Sequence, residues 1–452
     1  MALAAVALLV AAGASGQQPL TLEEALSRAE RQAYGNRIAA GQADAAQAQG
    51  TAALRGILPT VRLESGFVRT TDPIGAFGTT LRQRQITQAD FDPSRLNFPG
   101  ETNNWMGAVV VEQPLLNADA HLGRAAASRA GEAADAQAAW ARSGTRLEVF
   151  RAYWGAVLAA EKAVTLEAAY RAAQKHVTQA EAMHREGLVT KSDALLASVK
   201  AGELEGQLVE AQGDAQLALR GLSLLLGEPA AAFTVPATLP GTESVRRLLS
   251  ADLAAAELSA RGDVRAADAG ARAASLDVRR AQSLHLPRLN AFARYDWNSA
   301  SAPYRGDENW SLGVMASWTV FGGASEWAEK QAAGGRRAAA RAGLDAARAQ
   351  AALEVERTDN ARRVALVRLD VAERGAAQSA EAHRIVSRRY EGGLATVIEL
   401  LDAAAMETGG ALALSHARYT GIMAEAEGRR ARGQDPASVA GALTTEIAGM
   451  IR

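Results

Sequence analysis

The side chains of this chain that could do chemistry are few, and their spacing does not assemble a reaction. Cysteine is absent from its 452 residues. That removes thiol nucleophiles, thiolate metal sites, disulfides and a lipid-anchored N-terminal cysteine. The histidines (His121, His176, His184, His285, His383 and His416) are scattered, and His176 and His184 lack a third ligand in sequence. No metal site and no cofactor are therefore expected. Neither a phosphate-binding glycine loop nor a nucleophile elbow occurs. Among the carboxylates, Glu399 and Asp402 stand three apart and share one face of a helix. By spacing alone such a pair reads as a solvated helix face. An enzyme is not expected.

The elements around these residues are more informative. The formal net charge is -1, so a basic surface for nucleic acid is missing. Alanine is abundant and proline scarce, with 12 in the chain, a balance that favours long helices. Met1 to Val10 is an apolar run followed by small residues, with Ala14 and Gly16 before Gln17. Too short to span a bilayer, it reads as a signal peptide over 1–16. No later apolar stretch reaches the length of a transmembrane helix. Entry into a membrane would have to use β-strands.

The chain repeats itself. Gly56-Ile-Leu-Pro59 with Val61, Leu63 and Phe67 recurs as His285-Leu-Pro287 with Leu289, Ala291 and Phe292. Asn104-Trp105 recurs as Asn309-Trp310, and the Gln113-Pro-Leu-Leu turn has its counterpart at Trp318-Thr-Val-Phe. Gly187-Leu188-Val189-Thr190 with Asp193 matches Gly393-Leu394-Ala395-Thr396 with Glu399. Repeats over 17–240 and 241–433 follow, with a C-terminal tail over 434–452. Each repeat predicts a first helical stretch (Leu22 to Arg55; Val245 to Leu284), two strands around a polar loop, one very long helix, a glycine break and a second helix. The long helices are expected from Ala118 to Glu186 and from Ala324 to Glu391, roughly 100 Å each at 1.5 Å per residue. Phe150, Val157 and Val164, with Leu147 and Trp154 beside them, and later Val364, Val367 and Val371, supply heptad-like apolar spacing. A rod-like bundle of paired helices is expected.

Strands are expected at about 59–70, 103–113, 287–297 and 309–320. Each is near the ten residues of a tilted outer-membrane strand. Leu289, Ala291, Ala293, Tyr295 and Trp297 alternate with Arg288, Asn290, Arg294 and Asp296; Phe292 is the exception. Trp105, Tyr295, Trp297, Trp310 and Trp318 gather at strand ends, as an interfacial girdle does. A half-buried soluble sheet would alternate equally well. Four strands cannot close a barrel, so strands in lipid would require several protomers to share one. The loop from Thr71 to Asn103, with Asp72-Pro73, Asp92-Pro93 and Pro99-Gly100, reads as irregular.

The leucine-proline strand starts, the Gln113-Pro-Leu-Leu turn and both Gly-Leu-x-Thr breaks with a following acid occur as two copies in one order. In these features the sequence resembles the TolC-like outer-membrane efflux protein family over essentially the whole mature chain. The fold implied is mainly α with a small β part: a two-repeat protomer of long coiled-coil-like helices plus four membrane strands. Its homotrimer would form a twelve-stranded β-barrel continued by a periplasmic α-barrel. The resemblance further implies an outer-membrane channel of a tripartite efflux or type I secretion system, with outer-membrane lipid around it. A periplasmic adaptor (membrane fusion) protein and an inner-membrane pump of RND, ABC or MFS type would be its partners.

By the same resemblance, Glu399 and Asp402 fall on the positions of the pore-gate carboxylates, which three copies would turn into acidic rings. Tyr390 matches the gate-latch tyrosine and Asp193 its carboxylate partner. The latch arginine is replaced by Ala395, with Arg388 and Arg389 nearby. Gly187, Leu188, Thr190, Gly393, Leu394 and Thr396 would form the adaptor-docking tips. The competing reading, a periplasmic coiled-coil adaptor or structural protein, accounts for the helices but not for aromatic-ended strands at matching points of two repeats.

Overall fold

The structure, a computed structural model, describes residues 18–229, 233–303 and 305–439. The expected signal segment 1–16 and the end of the tail, 440–452, lie outside the described residues. In chain order the elements are β1 (Gln18–Pro19), α1 (Leu22–Gln32), α2 (Tyr34–Ala52), β2 (Thr60–Thr70), α3 (Pro73–Arg82), α4 (Pro93–Asn97) and β3 (Thr102–Leu116). They continue with α5 (Ala118–Arg185), α6 (Lys191–Leu225), β4 (Phe233–Thr234), α7 (Thr242–Ser250) and α8 (Gly262–Ser283). The chain then forms β5 (Arg288–Ser299), β6 (Asp307–Ser317), α9 (Ser325–Glu391) and α10 (Val397–Ala431). The fold is mainly α with a small β part. The repeat is plain in the helix lengths: α5 and α6 have 68 and 35 residues, α9 and α10 have 67 and 35.

Two compact units are present, and each draws on both repeats. One comprises Gln42–Asp135 and Ala266–Asp345. It contains a four-stranded sheet in the order β2-β3-β5-β6, with every neighbouring pair antiparallel. The helical ends that enter and leave this sheet pack through Val278, Ala281 and Ala333.

The other unit comprises the chain up to Gly41, Ala136–Arg265 and the chain from Ala346. Its main core joins Leu22 and Leu26 of α1, Phe150, Trp154 and Val157 of α5, Leu222 of α6, Val245 and Leu249 of α7, Leu369 of α9 and Ile422 of α10. β1 and β4 pair in parallel at the edge of this core. Gly421 of α10 lets α7 approach, since a Cβ there would meet Val245 Cγ1 at 2.7 Å. At the end of α10, Arg261 is buried, stacks on Trp140, bonds Asp263 and Glu354 at 2.7 Å each, and donates to the Ala431 carbonyl at 2.7 Å.

Several expectations are corrected. The stretch Leu22–Arg55 is broken at Ala33, where the Ala29 carbonyl at the end of α1 accepts both the Ala33 N–H and the buried Asn36 side-chain amide. The stretch Val245–Leu284 is likewise two helices: Arg362 of α9 donates to the Leu249 and Ala251 carbonyls and satisfies the end of α7. The loop 71–103 is not irregular throughout. Asp72 and Asp92 accept from Gly75 N at 2.6 Å and Ser94 N at 2.8 Å, so each Asp-Pro is an N-cap followed by proline at the first helical position.

β3 runs longer than expected, and β6 ends before Trp318, three residues short of 320. In α5, Phe150, Val157, Leu147 and Trp154 are buried, whereas Val164 is 50% exposed. Val364, Val367 and Val371 are also exposed, because α9 packs through Ala365 and Leu369, one step round the helix.

Candidate functional site

Two regions could carry function, the paired helix turns and the faces of the large sheet. Both turns are built by the same local rules. Gly187 and Gly393 adopt φ +77° and +71°, a conformation that glycine alone reaches without strain. Gly187 N and Leu188 N donate to His184 O and Met183 O at 3.0 and 2.9 Å; Gly393 N and Leu394 N donate to Tyr390 O and Arg389 O at 3.0 and 2.7 Å. Each turn is thus a Schellman cap that exposes a leucine, Leu188 or Leu394. Three residues after each glycine a threonine starts the next helix with a capping box. Thr190 N donates to Asp193 at 3.0 Å, Thr396 N donates to Glu399 at 2.7 Å, and the two threonine hydroxyls accept in return.

The acid that follows each break therefore has a local task. The Thr396 amide holds the Glu399 carboxyl below its ordinary value, with Arg389 adding to the effect. Glu399 and Asp402 are both exposed on the first turns of α10. Tyr390 is 2% exposed, packed among Ala180, Ala194, Ala197, Val397 and Leu400. Burial raises its phenol, and the charge of Asp193 raises it further. Ala395 lies half-buried beside this cluster, so its position offers no cation. The cation of this turn is Arg389, which donates to the Leu394 carbonyl at 3.0 Å.

The sheet has two unlike faces. In register across the four strands, one face presents Val61, Leu63 and Phe67 of β2, Trp105, Val109 and Val111 of β3, Ala291, Ala293, Tyr295 and Trp297 of β5, and Trp310, Leu312 and Val314 of β6. Much of it is bare: Leu63 is 80% and Leu312 72% exposed. The aromatic residues sit together near the loop end, with Phe67 against Trp105 at 4.7 Å and Tyr295 against Trp297 at 6.3 Å. Trp318 lies past the other end of β6 and donates to His285 O at 3.0 Å.

The opposite face is polar. Arg62 pairs with Glu112 at 2.6 Å, Arg294 with Glu64 at 3.0 Å, and Asn104 donates to Asn298 at 2.8 Å. Phe292, the exception to alternation, lies on this face over Gly313, where a Cβ would meet its ring at 2.7 Å. Gln83, at the end of α3, donates to Asn104 and ties the loop helices to the same face.

Sequence reasoning missed one contact. His176, left without a third ligand, meets His383 of the other repeat rather than His184. Carrying the spacing between repeats onto α5 brings His176 close to position 383, which was the available signal.

Residues 253–433 match the model of the outer membrane efflux protein family. No curated protein of similar sequence matches. Among solved structures, the outer membrane protein VceC of Vibrio cholerae is similar with a TM-score of 0.75 at 20% identity, covering 91% of this chain and 96% of that one. The CmeC outer membrane channel of Campylobacter jejuni gives 0.75 at 16% identity, covering 91% and 85%. The open state of the MtrE outer membrane channel of Neisseria gonorrhoeae gives 0.69 at 17%, covering 92% and 89%. These likenesses establish the fold.

Proposed function

We propose that this chain, whose residues 253–433 match the outer membrane efflux protein family, is a TolC-like outer-membrane duct of a tripartite efflux or type I secretion system. In this reading it is an outer-membrane channel protein and not an enzyme. The observation that carries the duct reading is the four-stranded sheet. One face is apolar, the other charged, and the outermost strands β2 and β6 each have one edge without a partner strand among the described residues. Lipid does not tolerate such edges. Because all pairings are antiparallel and the count is even, β2 and β6 run in opposite directions. The β6 edge of one copy can therefore pair antiparallel with β2 of the next. Three copies would close twelve strands, with the Arg62, Glu64 and Arg294 face toward water and the Leu63 and Leu312 face toward lipid. Trp105, Tyr295, Trp297 and Trp310 then form one girdle, and Trp318 belongs to the other.

The helix turns are the periplasmic tips in this reading. Leu188 and Leu394, presented by the glycine caps, offer apolar contacts for an adaptor protein that connects to an inner-membrane pump. Glu399 and Asp402 from three copies would ring the opening with negative charge, and Tyr390 with Asp193 would hold α9 against α6. Arg389 braces its own turn through the Leu394 carbonyl. Fractionation of cells followed by mass measurement of the detergent-purified protein tests the duct. The expected result is a trimer in the outer-membrane fraction. A monomer in the soluble periplasm would end this reading and favour the coiled-coil alternative.

A further inference from the structure

His176 of α5 and His383 of α9 meet edge to face, with ring centroids 6.1 Å apart. They line a cavity of about 550 Å³ among α5, α6, α9 and α10, walled by residues such as Ala172, Leu204 and Leu401. Glu407 of α10 bonds His383 at Nδ1. His383 Nε2 and both ring nitrogens of His176 are shielded from solvent, with no hydrogen-bond partner among the described residues. Leaving such a group unmet is unfavourable. An ion or a water that meets it is the usual explanation.

We propose that these two imidazoles form a transition-metal site joining the two repeats, taking a borderline divalent cation such as Zn²⁺ between His383 Nε2 and a ring nitrogen of His176. The spacing suits it. A metal about 2 Å from each nitrogen places two imidazole centres roughly 5–6.5 Å apart, the wider end needing an opened N–metal–N angle, and the observed 6.1 Å lies in that span. Glu407 is a positioning residue: its carboxylate behind Nδ1 orients the ring and makes Nε2 the free donor, the usual carboxylate–histidine–metal arrangement. Among the described residues no group of three or more histidine or acidic side chains forms a complete ligand set, so water from the cavity completes the shell.

The remaining charges allow a cation. Lys200, the cavity's lysine, is paired with Glu203 at 2.8 Å, which leaves Glu407 as the net charge of the lining. A bound ion would clamp α5 to α9 by their side chains. The site does not depend on the duct reading.

Calorimetric titration of Zn²⁺ into the full-length, detergent-purified protein tests the site, with melting followed in parallel. The expected result is one zinc per chain and a higher melting temperature with zinc. His176→Ala and His383→Ala should each abolish both effects. Glu407→Gln should weaken affinity by about tenfold and shrink the zinc-dependent rise in melting temperature. Should either alanine variant fail to fold, His176→Gln and the wild-type titration still decide. A wild type that binds no zinc, or His176→Gln binding as tightly as wild type, would overturn the proposal.

Discussion

At the residue scale, the acid of each Gly-Leu-x-Thr break is a capping residue whatever else it does. Thr396→Ala removes one side of that box and should cost about 1 kcal/mol of local stability. Hydrogen exchange over 394–400 checks this, with faster exchange there and no change in α7 as the expected pattern. Acid should act at the same place. The folded-state value of Glu399 is depressed below its ordinary 4.5. Its stabilising contribution is therefore complete above that value and disappears as pH falls through the lower folded one. Limited proteolysis at the turn should accelerate across that acid window, and Glu399→Gln should flatten the dependence. Equal acid sensitivity in both proteins would mean the carboxylate does not hold the turn.

At the element scale, the boundaries with local causes were legible. A helix ending at 185 was expected at 186, because a glycine cap and a threonine with an acid three residues on are written in adjacent residues. The break at Ala33 was not legible; there the Asn36 side chain reaches back into a buried position. The short helices after Asp72 and Asp92 could have been read from the same capping chemistry, but a proline-rich stretch outweighed it.

The turns allow a paired prediction. Gly393→Ala meets no atom within 4 Å, so its cost is backbone alone, about 1–2 kcal/mol for a left-handed residue. Gly202→Ala, within α6 and equally uncrowded, should instead stabilise by about 0.5–1 kcal/mol. Thermal unfolding of the two variants should shift in opposite directions. A shared direction would refute the assignment of strain to Gly393.

At the scale of the whole molecule, the sheet's two faces make neighbouring residues respond oppositely. Leu312 lies on the apolar face and Ser311 on the polar one. Leu312→Arg should cost about 2–4 kcal/mol near mid-membrane and lower the yield of trimer in the outer membrane. Ser311→Arg should assemble normally and change single-channel conductance in planar bilayers. Similar assembly of both variants would show that Leu312 does not face lipid.

The sequence by itself determined the repeat, the long helices, the four strands and their caps. These arise from residue period and from hydrogen bonds between near neighbours, and both are carried in short stretches of chain. Tertiary structure alone decided the rest. It placed β3 beside β5, left β2 and β6 at the edges, set Phe292 over Gly313 and moved the α9 contact from the valines to Ala365 and Leu369. It also brought His176 to His383 rather than to His184. Each of those outcomes depends on which of several competing surfaces packs best, and the partners in that competition lie far apart along the chain.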